Sequence, residues 1–174
     1  MVRLLDKVEL ANLLIKEIER LSVELIAQCV DRRERIAVAE SCTGGLISSF
    51  LTAKDGASTV FDSGFVTYSN ESKSESLGVS SAAILKFGAV SEVVAIAMAE
   101  GAISNSSASI SISVTGVAGP RGGTNLKPVG LAYIACAQKN NVAKCQKYFF
   151  TGNRRTIRLK AVRASLVQCL KNCL

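Results

Sequence analysis

The stretch that decides the fold is Arg35-Ile-Ala-Val-Ala-Glu-Ser-Cys-Thr-Gly-Gly-Leu-Ile-Ser-Ser-Phe-Leu51. The apolar run at 35–39 indicates a buried strand, and residues 46–51 favour the start of a helix. The turn between them places Ser41 and Thr43 beside backbone N–H groups that have no partner within the helix. Such a turn can bind an anion, or stabilise the oxyanion formed when a nearby serine attacks a carbonyl. Taken alone, it is better explained as a helix start rich in capping residues.

Outward from this stretch, strand patterns alternate with helical ones. Strands are predicted at residues 60–69, 109–114, 129–138 and 142–150, and helices at 4–29, 43–53, 70–77, 80–87, 91–103 and from 153 onward. In the first helix one apolar stripe is expected to face the core, formed by Leu4, Val8, Ala11, Ile15 and Ile18. In the last helix the inward residues are Leu159, Val162, Leu166 and Leu170. The alternation argues for a layered α/β domain with a mixed sheet, and residues 1–174 are expected to form a single domain.

Composition narrows the class of protein. With 48% hydrophobic residues, 13 glycines and 2 prolines, the chain is neither disordered nor fibrous. Its apolar runs stop short of the roughly 18 residues of a membrane span, and its start lacks the apolar core of a signal peptide. We therefore expect a soluble cytoplasmic protein. The six cysteines have no CxxC spacing and there is no histidine, which argues against a zinc site and for reduced thiols.

Charge is distributed unevenly along the chain. All 14 acidic residues lie in residues 1–100, whereas residues 101–174 contain 11 Lys and Arg. A basic half suggests a phosphate-bearing ligand or nucleic acid, with a solvated basic surface as the alternative. With 5% aromatic residues and no Trp, the chain has little material for stacking bases, so nucleic acid is the less favoured partner.

Three further segments carry candidate chemistry. Tyr68 and Lys73 follow a predicted strand. A desolvated lysine can activate a serine where no histidine is present. The alternative interpretation is an exposed lysine above a packed tyrosine, without a catalytic role. Arg154 opens the last helix and can add a contact to a phosphate, while Arg155 and Arg158 are expected to be solvated. A glycine-rich loop spans 115–124 and allows close approach to a ligand, or is a flexible turn; its glycines are Gly116, Gly119, Gly122 and Gly123.

Five segments of the chain form a set of motifs. In chain order they are Ala39-Glu-Ser-Cys-Thr-Gly-Gly45, Val66-Thr-Tyr-Ser-Asn-Glu-Ser-Lys73, Gly88-Ala-Val-Ser-Glu92, Val114-Thr-Gly-Val-Ala-Gly-Pro120 and Lys127-Pro-Val-Gly130. Together they resemble the motifs of the CinA C-terminal domain family, which includes the bacterial nicotinamide-nucleotide amidases. The resemblance covers about residues 8–172. One departure is Leu131-Ala-Tyr133, where relatives often have Thr-Val-Trp after Pro-Val-Gly.

The resemblance implies a three-layer α/β/α sandwich and a homo-oligomer. It implies hydrolysis of the carboxamide of nicotinamide mononucleotide to nicotinic acid mononucleotide and ammonia, without a cofactor or metal. By motif, the nucleophile is Ser41, assisted by Tyr68 and Lys73. The residues expected to bind substrate or oxyanion are Thr43, Gly44, Gly45, Thr115, Gly116, Gly119, Gly122, Gly123 and Arg154. Some members of the family lack amidase activity, so a nucleotide-binding or competence-related regulatory module is the alternative.

Overall fold

The computed structural model describes residues 7–174 of the chain. Seven helices and five strands follow one another in this part of the chain. They are α1 (Lys7–Arg32), β1 (Ile36–Glu40), α2 (Leu46–Thr52), α3 (Ala57–Val60), β2 (Phe61–Val66), α4 (Asn70–Leu77), α5 (Ser81–Phe87), α6 (Glu92–Ser104), β3 (Ile110–Gly116), β4 (Leu131–Gln138), β5 (Lys144–Phe149) and α7 (Arg154–Asn172). None of these helices is long and apolar enough to cross a membrane.

The five strands form one mixed sheet in the order β2-β1-β3-β4-β5. The first three strands are parallel, with Ala39 of β1 opposite Phe65 and Ser113. The hairpin strands β4 and β5 complete the sheet in antiparallel pairing. Because β1 lies between two parallel neighbours, the residues that follow it emerge in the middle of one sheet edge.

Helices cover both faces of the sheet, which confirms the three-layer α/β/α sandwich. On one face α1 and α7 pack together over branched side chains such as Val38 and Ile112. On the other face α4, α5 and α6 cover smaller side chains, including Ala37 and Ala39, and Met98 of α6 is fully buried among them. Small residues on this second face let α6 approach the strands closely.

β3 is buried on both faces, although its sequence alternates polar and apolar residues. The polar positions face α6 instead of solvent: the Ser111 hydroxyl donates to the carbonyl of Ala99 at 2.7 Å, and the Ser113 hydroxyl to that of Ala95 at 2.5 Å. Each buried hydroxyl thus has a hydrogen-bond partner, which makes its burial tolerable.

Some predicted boundaries and burial patterns were wrong. In α1 the predicted stripe holds at Ala11, Ile15 and Ile18, but Val8 is 63% exposed, and Leu4 lies outside the described residues. The buried face follows a spacing of three and four residues that does not include Val8; its members are Ala11, Leu14, Ile18, Leu21 and Leu25.

Two segments near the first strand also differ from expectation. The helix predicted from residue 43 begins at Leu46, because Gly44 and Gly45 have φ of 59° and 88°, which a right-handed helix excludes. The short helix α3 was not predicted, and β2 ends at Val66 instead of at residue 69. Leu170 of α7 is only half-buried, whereas the other three predicted inward residues are buried.

Candidate active site

A pocket of about 290 Å³ lies where β1, β2 and β3 end. Ser41 follows β1, Tyr68 follows β2, and Thr115 is the residue before the last of β3. Parallel strands that are neighbours in a sheet end at the same edge, so the topology brings together residues from three distant segments. The pocket therefore collects the serine, the tyrosine and the lysine that the sequence singled out.

Ser41 and Lys73 are in direct contact inside the protein. The Lys73 amine donates to the Ser41 hydroxyl at 3.3 Å, and to the backbone carbonyls of Thr67 at 2.8 Å and Ser69 at 3.2 Å. Lys73 is only 1% exposed. Ser69 caps the helix that carries the lysine, by accepting from the N–H of Ser72, and so fixes the start of α4.

Burial lowers the pKa of Lys73, because water that would stabilise the charged amine is excluded. The negative charges of a Cys42 thiolate and of Glu71 oppose this shift to a smaller extent. No carboxylate within residues 7–174 forms an ion pair with Lys73. The amine can therefore lose its proton more readily than a surface lysine, as a general base must.

The turn after Ser41 offers unpartnered backbone donors. The Ser41 N–H donates to the carbonyl of Val114 at 3.0 Å, and the Gly44 N–H donates to the carbonyl of Ser41 at 3.0 Å. Across residues 7–174, the N–H of Thr43 finds no acceptor and that of Cys42 finds only its own sulfur. The Gly44 N–H, which was expected to contribute to oxyanion binding, already closes this turn. Of the two N–H groups without a backbone acceptor, that of Cys42 belongs to a residue that lines the pocket.

Glu40 holds the other end of this turn and was missed by the sequence analysis. Its fully buried carboxylate accepts from the backbone N–H groups of Ile47 at 3.1 Å and Ser48 at 2.9 Å, and from the Ser48 hydroxyl at 2.8 Å. An anion at a helix N-terminus is favoured by the unpaired N–H groups and the helix dipole. The signal in the sequence was an acidic residue six positions before a helix that lacks a side-chain cap of its own.

Cys42 lies beside Ser41 but is poorly suited to attack. Its side chain is buried, and burial raises the pKa of its thiol to about 11. The thiolate is the nucleophilic form of cysteine, so at neutral pH almost all of this side chain is unreactive. Cys42 is therefore less suited than Ser41 to act as a nucleophile in this pocket.

Tyr68 and Arg154 meet at the rim of the pocket. Tyr68 is 60% exposed, and its hydroxyl accepts from Arg154 Nη2 at 2.8 Å. Arg154 Nη1 donates to the carbonyl of Gly119 at 2.8 Å. No hydrogen bond joins the Tyr68 hydroxyl to Ser41 or Lys73 within the described part of the chain, so the structure brings Tyr68 to the pocket without placing it between serine and lysine.

The remaining predicted residues divide into two groups. Those that line the pocket are Thr115, Gly116, Gly119 and Gly122, and the Thr115 hydroxyl already donates to the carbonyl of Ala89 at 2.8 Å. Those that do not line it are Thr43, Gly44, Gly45 and Gly123. Thr43 is buried with its hydroxyl unpartnered. Gly45 precedes α2, and Gly123 packs against Val129.

One arginine was not singled out from the sequence, and the environment of another was misjudged. Arg121, in the glycine-rich loop, lines the pocket, and the signal for it was its position directly after Gly119-Pro120. Arg158 was expected to be solvated and is half-buried, donating from Nη2 to the carbonyl of Thr43. Arg155 is exposed, as expected.

Other features of residues 7–174 do not compete with this pocket. Four larger clefts, of about 480, 560, 370 and 310 Å³, lie elsewhere on the surface of the described residues, and none contains a hydrogen-bonded serine and lysine. All six cysteines are free thiols. No cluster of three or more metal-ligating side chains occurs in this part of the chain.

Comparison with known proteins places the chain among relatives of the same fold. A model of the CinA C-terminal domain matches residues 18–174. The nicotinamide-nucleotide amidohydrolase PncC of Enterobacter agglomerans is 43% identical over 156 residues, which are 90% of this chain and 95% of that protein. A CinA-like protein of Syntrophobacter fumaroxidans is 47% identical over 137 residues, 79% of this chain but 32% of that protein. The chain spans about a third of the length of several curated relatives that it matches.

Solved structures of similar proteins also have this fold. The competence/damage inducible protein CihA from Agrobacterium tumefaciens has a TM-score of 0.87 at 40% identity, covering 89% of this chain and 94% of that one. A CinA superfamily protein from Escherichia coli has a TM-score of 0.86 at 34% identity, covering 98% and 94%.

Proposed function

The chain belongs to the CinA C-terminal domain family, and from that premise we propose that it is a nicotinamide-nucleotide amidohydrolase. The reaction is hydrolysis of the carboxamide of nicotinamide mononucleotide to nicotinic acid mononucleotide and ammonia. The observation that carries the proposal is the contact of 3.3 Å between a buried lysine amine and the Ser41 hydroxyl. The relation to PncC, whose name states this activity, supports the choice of substrate.

In the proposed mechanism Lys73 in its neutral form takes the proton of Ser41. The serine oxygen attacks the carboxamide carbon, and the carbonyl oxygen becomes an oxyanion that accepts from the N–H of Cys42, which lines the pocket. Protonated Lys73 then returns the proton to the leaving nitrogen, and ammonia departs. Water attacks the acyl-serine with Lys73 again as base, which releases the carboxylate product and restores Ser41.

The pocket rim provides for a charged substrate. Arg154 and Arg121 both line the pocket, and the loop with Gly116, Gly119 and Gly122 brings backbone close to them. Two guanidinium groups suit the phosphate of a mononucleotide, to which each can donate two hydrogen bonds. Free nicotinamide has no group to use them, so the proposal includes a preference for the phosphorylated substrate.

We also propose that residues 1–174 act as one domain, in the cytoplasm and as a homo-oligomer. A single sheet covered on both faces by helices supports the first statement. Light scattering on the purified protein tests the oligomeric state.

Ammonia release with nicotinamide mononucleotide tests the activity directly. We expect turnover by the unmodified protein and none by Ser41→Ala, with free nicotinamide as the comparison substrate. Binding of the mononucleotide without ammonia release would contradict the proposal and favour a nucleotide-binding module.

A further inference from the structure

Arg158 places a cation behind the Ser41 turn, outside the pocket. Its guanidinium donates from Nη2 to the carbonyl oxygen of Thr43, and its Nε is buried without a hydrogen-bond partner. No carboxylate within residues 7–174 pairs with it. A half-buried guanidinium with an unpartnered nitrogen lowers the stability of a protein, because its charge and its N–H lose contact with water. A neutral side chain could hold α7 against the turn equally well, so the positive charge of Arg158 needs another explanation.

Two successive peptide groups connect this cation to the pocket. The peptide between Thr43 and Gly44 accepts from Arg158 at its carbonyl, and its N–H donates to the Ser41 carbonyl at 3.0 Å. The Ser41 carbonyl belongs to the next peptide group, between Ser41 and Cys42, which therefore accepts this hydrogen bond from Gly44. Its N–H belongs to Cys42, which lines the pocket next to the nucleophile and has no acceptor but its own sulfur in the described part of the chain.

A hydrogen bond to the carbonyl of a peptide polarises the whole peptide group and makes its N–H a stronger donor. Here the polarising chain begins at a full positive charge and ends at the N–H that follows the nucleophile. An N–H at this position meets the oxyanion when the serine attacks a carbonyl. The positive charge also attracts the oxyanion directly in a site of low dielectric constant.

We infer that Arg158 is a positioning residue that strengthens the oxyanion donor at Cys42, acting through the hydrogen bonds of Thr43 and Ser41. The inference rests on the proposed amidohydrolase function. Arg158 does not line the pocket, so it acts on the transition state and not on binding of the substrate. This distinguishes it from Arg154 and Arg121, which line the pocket.

The test compares Arg158→Met, Arg158→Gln and Arg158→Lys with Arg155→Met, an exposed arginine three positions away on the same helix. We expect Arg158→Met to lower kcat for nicotinamide mononucleotide about tenfold while KM changes less than twofold, since one donor is weakened and not removed. Lysine keeps the charge and should restore most of kcat. Arg158→Gln keeps only a neutral donor and should restore less of kcat than Arg158→Lys does. The control Arg155→Met should have the kcat and KM of the unmodified protein.

A second measurement uses pyridine-3-boronic acid, whose tetrahedral adduct with a serine resembles the oxyanion intermediate. Arg158→Met should weaken inhibition by the boronate by the same factor as kcat. If Arg158→Met does not fold, a higher kcat and stronger inhibition by the boronate for Arg158→Lys than for Arg158→Gln support the same inference. Equal kcat in all variants, or an effect on KM alone, overturns the role of Arg158 while leaving the proposed function intact. An unmodified protein that releases no ammonia overturns both.

Discussion

Lys73 and Ser41 are separated by 32 positions in the chain, yet the lysine amine lies 3.3 Å from the serine hydroxyl. The serine follows β1 and the lysine lies on α4, directly after the neighbouring parallel strand β2. The same amine is held by the carbonyls of Thr67 and Ser69, which fix its position without supplying a negative charge. A lysine that is oriented and desolvated in this way can act as a base instead of as one half of an ion pair.

The pH dependence of the reaction tests this assignment. Burial lowers the pKa of Lys73, so its neutral, reactive form appears at lower pH than for a surface lysine with a pKa of about 10.4. We expect kcat/KM to rise with pH and to level off once Lys73 is neutral. Lys73→Arg should be nearly as inactive as Lys73→Ala, because a guanidinium keeps its proton. Substantial activity in Lys73→Arg would mean that the base lies elsewhere.

The two neighbouring nucleophiles can be separated by substitution. Ser41→Ala should abolish ammonia release, whereas Cys42→Ala should retain it, because the pKa of the buried thiol is raised to about 11 and little thiolate forms. Iodoacetamide at neutral pH should inactivate the unmodified protein slowly. Rapid inactivation that Cys42→Ala prevents would move the nucleophile to the thiol.

Arg154→Ala tests whether the rim recognises a phosphate. The substitution removes a guanidinium that lines the pocket and is oriented by Gly119 and Tyr68. We expect kcat/KM for the mononucleotide to fall by about 1.5 kcal/mol, roughly tenfold, mainly through KM, as for loss of a charge-assisted hydrogen bond. Activity on free nicotinamide should not change, and Arg155→Ala provides the control. Equal use of both substrates by the unmodified protein would exclude a phosphate site.

Tyr68→Phe distinguishes a proton relay from a contact at the rim. The Tyr68 hydroxyl is bonded to Arg154, while the lysine reaches the serine directly. We therefore expect Tyr68→Phe to raise KM in the direction of Arg154→Ala and to leave kcat within about threefold, well below the 10²-fold or greater loss typical of a general acid or base. Tyr133→Phe serves as a control outside the pocket. A large loss of kcat at unchanged KM would assign Tyr68 to proton transfer.

Glu40→Gln should weaken the fold more than the loss of one surface charge does. The carboxylate accepts three hydrogen bonds at the start of α2, and an amide nitrogen in place of either oxygen would face a backbone N–H donor that it cannot accept. The free energy of unfolding in urea should fall by about 2–3 kcal/mol, the range for hydrogen bonds to a buried charge. Glu71→Gln, at the exposed first turn of α4, is the matched control and should change little. Equal stability of the two variants would contradict the assigned role of Glu40.

Local features of the sequence were sufficient for most elements. Ser69 marks the start of α4 and Gly78 marks its end, and Asn153 caps α7 by accepting from the N–H of Thr156. Each of these residues lies close in the chain to the backbone group with which it forms a hydrogen bond. Helical and strand periodicity likewise depends on neighbours in the chain. The short helix α3 was not predicted, because a segment of four residues is too short to show helical periodicity.

The amino-acid sequence by itself determined which residues could carry chemistry: a serine in a strand-to-helix turn, a lysine after the next strand, and an arginine at the start of the last helix. Only the tertiary structure decided their partners. It assigned the Tyr68 hydroxyl to Arg154, Glu40 to the start of α2 and Arg158 to the Thr43 carbonyl, and it used the Gly44 N–H to close the turn. The contacts of Tyr68 and Arg158 join residues far apart in the chain, so they depend on strand order and helix packing, which no local pattern contains.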